Sequence, residues 1–220
     1  LYFEFKKSDI RNIEFNFGAA NVVLILGKKV SVETRGLEKH QLLCKISSDR
    51  TLVVKNLDKL SRLNFFKHNR STSFVPRILI TLPKSMIVEK FSVVIGAGRF
   101  DARGVSVTSQ KTMIEVGAAS FKFDKINAKN TKIHCGMGKI LINGIFTKRT
   151  DIDCGMGSVT LNLQGNKQEY SYDAKVGLGI YKFNNEKYDG VNKIVPNSIL
   201  ENHFSVNCGI GSVVIKLDSQ

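Results

Sequence analysis

Three cysteines stand at one position of a recurring pattern: Cys135, Cys154 and Cys208 each directly precede a Gly-x-Gly. Cys44, the fourth, lies in an earlier apolar stretch. Soft sulfur ligands invite a structural metal, which needs about four donors converging, usually from close Cys-x-x-Cys pairs. No corner offers a second Cys or His two to four residues away on the same face. His134 precedes Cys135 and in a strand points the other way. No metal is expected. A Cys135–Cys154 disulfide is conceivable if the repeats stack, since neighbouring Cα atoms would fall within the allowed ~4.4–6.8 Å. In-register parallel neighbours are poorly oriented for it, and buried thiols acting as core filler explain the same residues.

A second set is Glu115, His134, Asp153 and Lys175, one per repeat in succession. An acid, a base and a cation stacked in one column would suit general acid–base chemistry. Charge pairing across a solvated sheet face, at about 0.2–1 kcal/mol per pair, is the favoured account of them. With one His, one Asp and no implied groove, no catalytic residue is assigned. The third set is a basic loop between Asn56 and Arg77, carrying Lys59, Arg62, Lys67, His68 and Arg70. Lys59, Arg62, Lys67 and Arg70 are the candidate anion-binding residues. Nucleic acid is disfavoured, because stacking aromatics are confined to Phe65, Phe66 and Phe74, which read as anchors to the core. No phosphate loop or dinucleotide fingerprint is present, and no cofactor is expected.

The elements that carry these residues repeat. Apolar, Gly, small or apolar, Gly, polar, apolar recurs, and its glycine pairs are the expected structural corners. They are Gly96 and Gly98, Gly136 and Gly138, Gly155 and Gly157, Gly177 and Gly179, and Gly209 and Gly211. Looser copies sit at Phe17-Gly18-Ala19-Ala20 and Val116-Gly117-Ala118-Ala119. From Gly96 the leading glycines step by 21, 19, 19, 22 and 32 residues. A period near 20 marks stacked repeats. Apolar and polar residues alternate before each pair (Ile133, Cys135; Ile152, Cys154) and after it (Ile140, Ile142; Val159, Leu161, Leu163), which is the signature of strands. Each unit reads as strand, glycine corner, strand, polar turn. One inward ladder runs Phe17, Ile95, Val116, Cys135, Cys154, Val176, Cys208. A second inward ladder is expected from Ala97, Met137, Met156, Leu178 and Ile210.

The fold expected is all-β: a single-domain parallel β-solenoid over residues 1–220 with about seven Gly-x-Gly coils. Residues 1–90 form less regular N-terminal coils and 91–220 the regular repeats. An insertion at about 184–202, with a weak helical signal, projects from one coil. The alternative is an antiparallel β-sandwich in which each Gly-x-Gly is a hairpin turn. No capping element is evident after Leu217, which leaves association through that end open.

The chain of 220 residues has 33 Lys and Arg against 19 Asp and Glu, a formal charge of +14. That excess favours anionic partners, although a lysine-rich solvated surface reads the same way. No apolar run approaches the ~20 residues that span a bilayer. The chain opens at Leu1-Tyr2-Phe3 and not at Met, so an upstream segment is expected, and whether it is a signal peptide or a membrane anchor is left open by the sequence.

Three segments together resemble the putative adhesin family, bacterial surface β-solenoid domains of unknown function. They are Ile13-Glu14-Phe15-Asn16-Phe17-Gly18-Ala19-Ala20-Asn21-Val22, the stretch from Ile80-Thr81-Leu82-Pro83-Lys84-Ser85 to Gly96-Ala97-Gly98, and the train of glycine corners that follows. The resemblance implies an extracytoplasmic, cell-surface domain, often tethered by a nearby membrane helix, with no catalytic residues to transfer. Cysteine-rich corners and high positive charge are departures from the family. The function expected is a non-catalytic envelope or adhesion-like scaffold contacting anionic polymers or an envelope protein. A polysaccharide-cleaving enzyme on the same scaffold, or a regulatory partner in envelope-stress sensing, are the alternatives.

Overall fold

In the computed structural model, residues 1–56, 75–189, 192–194 and 200–218 are described. Period-two alternation of Val, Ile, Leu and Phe with polar residues produces strands buried on one side. They are β1 (Tyr2–Phe5), β2 (Asn12–Leu26), β3 (Val30–Arg35), β4 (Leu42–Ile46), β5 (Thr51–Asn56) and β6 (Arg77–Leu82). Two very long strands follow, β7 (Ser85–Arg103) and β8 (Ser106–Cys135), then β9 (Lys139–Phe146), β10 (Arg149–Cys154), β11 (Ser158–Gln164) and β12 (Tyr170–Val176). The set closes with β13 (Ile180–Phe183), β14 (Glu186–Asp189), β15 (Asn192–Ile194), β16 (Asn202–Cys208) and β17 (Ser212–Asp218). The helical pieces between them are short 3-10 turns among the described residues.

The fold is all-β and the sheet is mixed. Its middle is parallel and in register at the corners: Cys135 faces Cys154, Cys154 faces Cys208, and Cys208 faces Val176. Beyond the corners, Ile140 faces Val159 and Val159 faces Val213. Strands on either side of one Gly-x-Gly pair with neighbouring copies, so the hairpin expectation fails at these corners. The flanks are antiparallel. β4 pairs with β5, β3 with β6 and β1 with β3 at one end, while β14 pairs with β13 and β15 with β12 at the other. Such strands cover edges that would otherwise offer unpaired backbone to another chain.

The expected corner glycines fall into two classes. Gly136 and Gly138 separate β8 from β9, and Gly155 and Gly157 separate β10 from β11. Gly177 and Gly179 separate β12 from β13, and Gly209 and Gly211 separate β16 from β17. Backbone bonds tie the last two corners together: Gly179 N donates to Gly209 O at 2.8 Å, and Ile180 N to Gly211 O at 3.0 Å. Gly96 and Gly98 differ from the expectation of a strand-ending corner. They lie inside the continuous strand β7, where pairing with β2 carries on through Ala97 and Gly98.

Chain order and spatial order differ. β16 and β17 lie between β10/β11 and β12/β13, so the last repeat in sequence is the penultimate one in space. The described part of the insertion, β14 and β15, is extended and not helical, and it covers the β12/β13 end. Cover therefore comes from the insertion and not from residues after Leu217, whose strand has neighbours on both sides.

The core interleaves large aromatics with small thiols. Phe100 stacks on Phe121 at 5.0 Å, Phe91 meets Phe123 edge-on at 5.6 Å, and Phe15 contacts Phe17, Phe91 and Phe100. The ladder of Phe17, Ile95, Val116, Cys135, Cys154, Val176 and Cys208 is buried throughout. The expected second ladder is not inside. Met137, Met156, Ile210 and Leu178 are 60–82% exposed, and Ala97 is also exposed. The chain turns around the core at the Gly-x-Gly, so the residue between the glycines stands on the outside of the bend.

The connection from β5 to β6 carries no glycine at all. Between β5 and β6 the chain departs into the segment that carries Lys59, Arg62, Lys67 and Arg70, all outside the described residues. There the buried Asn56 side chain accepts from Gly18 N at 2.8 Å and donates to Ala19 O at 3.0 Å. It supplies the bonds that a neighbouring corner makes elsewhere, as when Gly155 N donates to Cys135 O at 2.9 Å.

Candidate functional site

Counting back from each first corner glycine locates the outward residues of β8, β10, β16 and β12. Two places back lie Glu115, His134, Asp153, Asn207 and Lys175; four back lie Met113, Lys132, Asp151, Ser205 and Asp173. They line a groove of about 660 Å³ on the outer sheet face. It continues into a hollow of about 470 Å³ lined by Lys90, Lys111, Lys132 and Arg149.

The expected charge column is therefore real in placement but altered in order. Asn207 stands between Asp153 and Lys175, because β16 is interposed. His134 Nδ1 lies 3.3 Å from Asp153 Oδ2, and Asn207 Nδ2 donates to Asp153 Oδ1 at 3.3 Å. Both members of the His–Asp pair are more than half exposed. A solvated pair of this kind contributes about 0–1 kcal/mol.

The basic end is different. Lys90 and Lys111 are directly opposite in parallel register, both exposed. Among the described residues neither has a carboxylate within ion-pair distance, and nor does Lys132. Arg149 donates from Nε to Asp151 Oδ1 at 2.7 Å. Like charges placed directly opposite destabilise a sheet. This face thus holds a local positive excess that the acids among the described residues leave uncompensated.

Sequence reasoning missed one cluster. Ser171 Oγ lies 2.8 Å from His203 Nδ1, His203 Nε2 lies 2.6 Å from Asp173 Oδ1, and Ser205 Oγ donates to Asp173 Oδ2 at 3.2 Å. The composition is that of a hydrolytic triad. Its accessibility is not. Ser171 and His203 are buried, and Ser171 Oγ already accepts Leu200 N–H at 2.9 Å. The set is a polar latch fastening the chain near Leu200 to β12 and β16. Ser171 and His203 are each six places before a corner glycine, so the same counting would have paired them.

Cys135, Cys154 and Cys208 are free thiols. Cys135 Sγ donates to Gly138 O and Cys154 Sγ to Gly157 O, each at 3.3 Å. The adjacent Cys135 thiol and burial push the Cys154 thiol well above its ordinary range, so it stays protonated. Burial alone pushes Cys44 up to about 12. Among the described residues no three His, Cys, Asp or Glu gather as metal ligands. No helix there is long and apolar enough to cross a membrane.

Beside this geometry stands a domain match. The Toastrack DUF4097 domain matches residues 10–189, which takes in most of the glycine corners and the basic hollow. The chain belongs to the Toastrack DUF4097 family. The Toastrack chain is also similar to two solved structures across nearly its whole length. One is a putative cell adhesion protein from Clostridium sporogenes, 14% identical, with 99% of this chain and 98% of that one covered and a TM-score of 0.47. The other is a putative adhesin from Bacteroides fragilis, 16% identical, covering 98% and 96%, with a TM-score of 0.36. No curated protein matches the chain. The Toastrack match agrees with the family resemblance drawn from the glycine repeats.

Proposed function

We propose that this Toastrack chain is a non-catalytic, adhesion-like scaffold of the cell envelope that holds anionic surface polymers on its basic sheet face. Its frame is read as a single-domain parallel solenoid of about seven glycine-cornered coils, with antiparallel strands closing both ends. One observation carries the binding assignment: Lys90 and Lys111 stand opposite each other, with Lys132 nearby, and no carboxylate pairs with any of the three among the described residues. An elongated polyanion laid along the stack would neutralise charges that otherwise repel. The formal charge of +14 would draw such a polymer in from a distance. The extracytoplasmic placement and a membrane tether rest on the adhesin resemblance.

Binding of alginate, a carboxylate polymer, and of neutral dextran tests this reading by calorimetry. Alginate should bind at low salt and weaken steeply toward about 0.5 M, where exposed charges are screened within roughly 4 Å. Lys90→Glu/Lys111→Glu should weaken it about tenfold or more, and dextran should not bind. Salt-insensitive alginate binding, or an unaffected double variant, rejects the assignment.

A further inference from the structure

We propose that the Toastrack chain has a second anion site, on the far side of the glycine corners: an arginine cleft that takes the phosphate groups of a polyol-phosphate polymer. The proposal goes beyond the lysine face and does not depend on it.

The cleft is set by strand register. Arg35 in β3 lies opposite Arg77 in β6, Arg77 lies opposite Asn21 in β2, and Asn21 lies opposite Arg99 in β7. Three exposed arginines therefore share one row, with the Asn21 amide between the second and third. At ~4.8 Å per strand, Arg77 and Arg99 are separated by about 10 Å. The groove beside them measures about 730 Å³. Its floor is apolar, formed by the half-buried Val23 and Leu79, which also face each other in register. Gly98 and Ser120 keep its far wall low.

Charge is left over here as well. Among the described residues Glu33 is the acid that borders the groove, and it pairs with Arg35 at 3.4 Å while both stay exposed. Arg77 and Arg99 have no carboxylate within ion-pair distance among the described residues. The next acid along β7, Asp101, is engaged by Arg103, and Arg99 acts on it only at longer range.

The residue type narrows the ligand. A guanidinium offers a flat fork of donors that matches two oxygens of one phosphate, which an ammonium cannot do. A row of forks over a strip of Val and Leu suits a chain whose phosphates alternate with short, partly apolar carbon units. Nucleic acid fits less well, since among the described residues no aromatic side chain lines the groove to stack a base.

The test measures binding of synthetic poly(glycerol phosphate), alginate and single-stranded DNA to the intact chain, with thermal unfolding as a control for folding. Arg77→Ala/Arg99→Ala should weaken poly(glycerol phosphate) about tenfold and leave alginate within about twofold, because charged forks to phosphate are lost while the lysine face is untouched. Arg77→Lys/Arg99→Lys, which keeps the charge, should lose most of that affinity too. Lysine variants that bind like the wild type, an equal loss on alginate, or no poly(glycerol phosphate) binding by the wild type would each overturn the site. DNA bound more tightly than poly(glycerol phosphate) would overturn the ligand class. Failure of the lysine-face reading shows separately, in Lys90→Glu/Lys111→Glu on alginate.

Discussion

Gly157 packs so closely over Gly138 that a Cβ added to it would lie 2.4 Å from the Gly138 carbonyl oxygen and 2.6 Å from Cys135 Sγ. The same contact recurs up the stack. A Cβ on Gly211 would lie 2.3 Å from Gly157 O, and one on Gly179 would lie 2.3 Å from Gly211 O. At Gly155, the first glycine of its corner, the added carbon would meet Gly136 O at 3.2 Å. At the Gly155–Gly157 corner the two glycines thus answer different demands: the second leaves no room between successive copies and the first is only tight, whereas at Gly177 the first is also closely covered, an added Cβ lying 2.8 Å from Gly209 O. Gly157→Ala should cost about 2–3 kcal/mol, the upper end of ordinary overpacking, and Gly155→Ala clearly less. Denaturant unfolding of both variants checks the order, and equal costs would refute the close-approach account.

The thiol ladder makes a chemical prediction. Cys135, Cys154 and Cys208 are buried, and the Cys44 thiol is pushed up to about 12. A disulfide reagent at pH 8 needs thiolate and access. The native protein should therefore react slowly at all four cysteines, and denaturant should release all four at once. A fast native phase assigned to any ladder cysteine by peptide mapping would contradict the packing described.

Tyr181 is fully buried, and its hydroxyl oxygen has no hydrogen-bond partner among the described residues. Burial, with neighbouring Tyr172 and Tyr188, pushes its phenol up, so it stays neutral. An unpaired buried hydroxyl costs about 1–3 kcal/mol. Tyr181→Phe should be neutral or stabilising by about 1 kcal/mol. Tyr172→Phe removes a hydroxyl bonded to Tyr188 at 2.5 Å and should destabilise. Unfolding midpoints of the pair decide it.

Asp101 is buried, and the hydrogen bond from Arg103 holds its carboxyl below the usual range. A group with a depressed native pKa adds stability above its unfolded value, near 3.9, and loses it as pH falls through the lower native value. Melting temperature should therefore decline less steeply below about pH 4 in Asp101→Asn than in the wild type. Parallel pH profiles would disprove the assignment.

What was legible depended on whether a residue type distinguishes two environments. Cys135, Cys154 and Cys208 share a type, a phase and a neighbouring glycine, and they share one buried row. Met137, Met156, Leu178 and Ile210 look equally apolar in the sequence but stand outside, because an apolar side chain at a bend carries no sign of which way the bend turns. The steps of 22 and 32 residues announce extra chain after Gly155 and Gly177. They do not say that β16 enters beside β10, since spacing is blind to spatial order. The Lys90–Lys111 pair and the Ser171–His203 latch were readable by counting back six from the corners. The arginine cleft was not, because Arg35 and Arg77 meet through an antiparallel pairing outside the repeat.

The interposed position of β16 and β17 also constrains assembly in time. During synthesis β10 to β13 leave the ribosome before the wedge that must separate them exists. The surfaces of β10/β11 and β12/β13 that later grip the wedge have to wait, apart, until residues 202–218 arrive. An interrupted product ending before Asn202 would present two unfilled parallel edges, each open to the wrong partner.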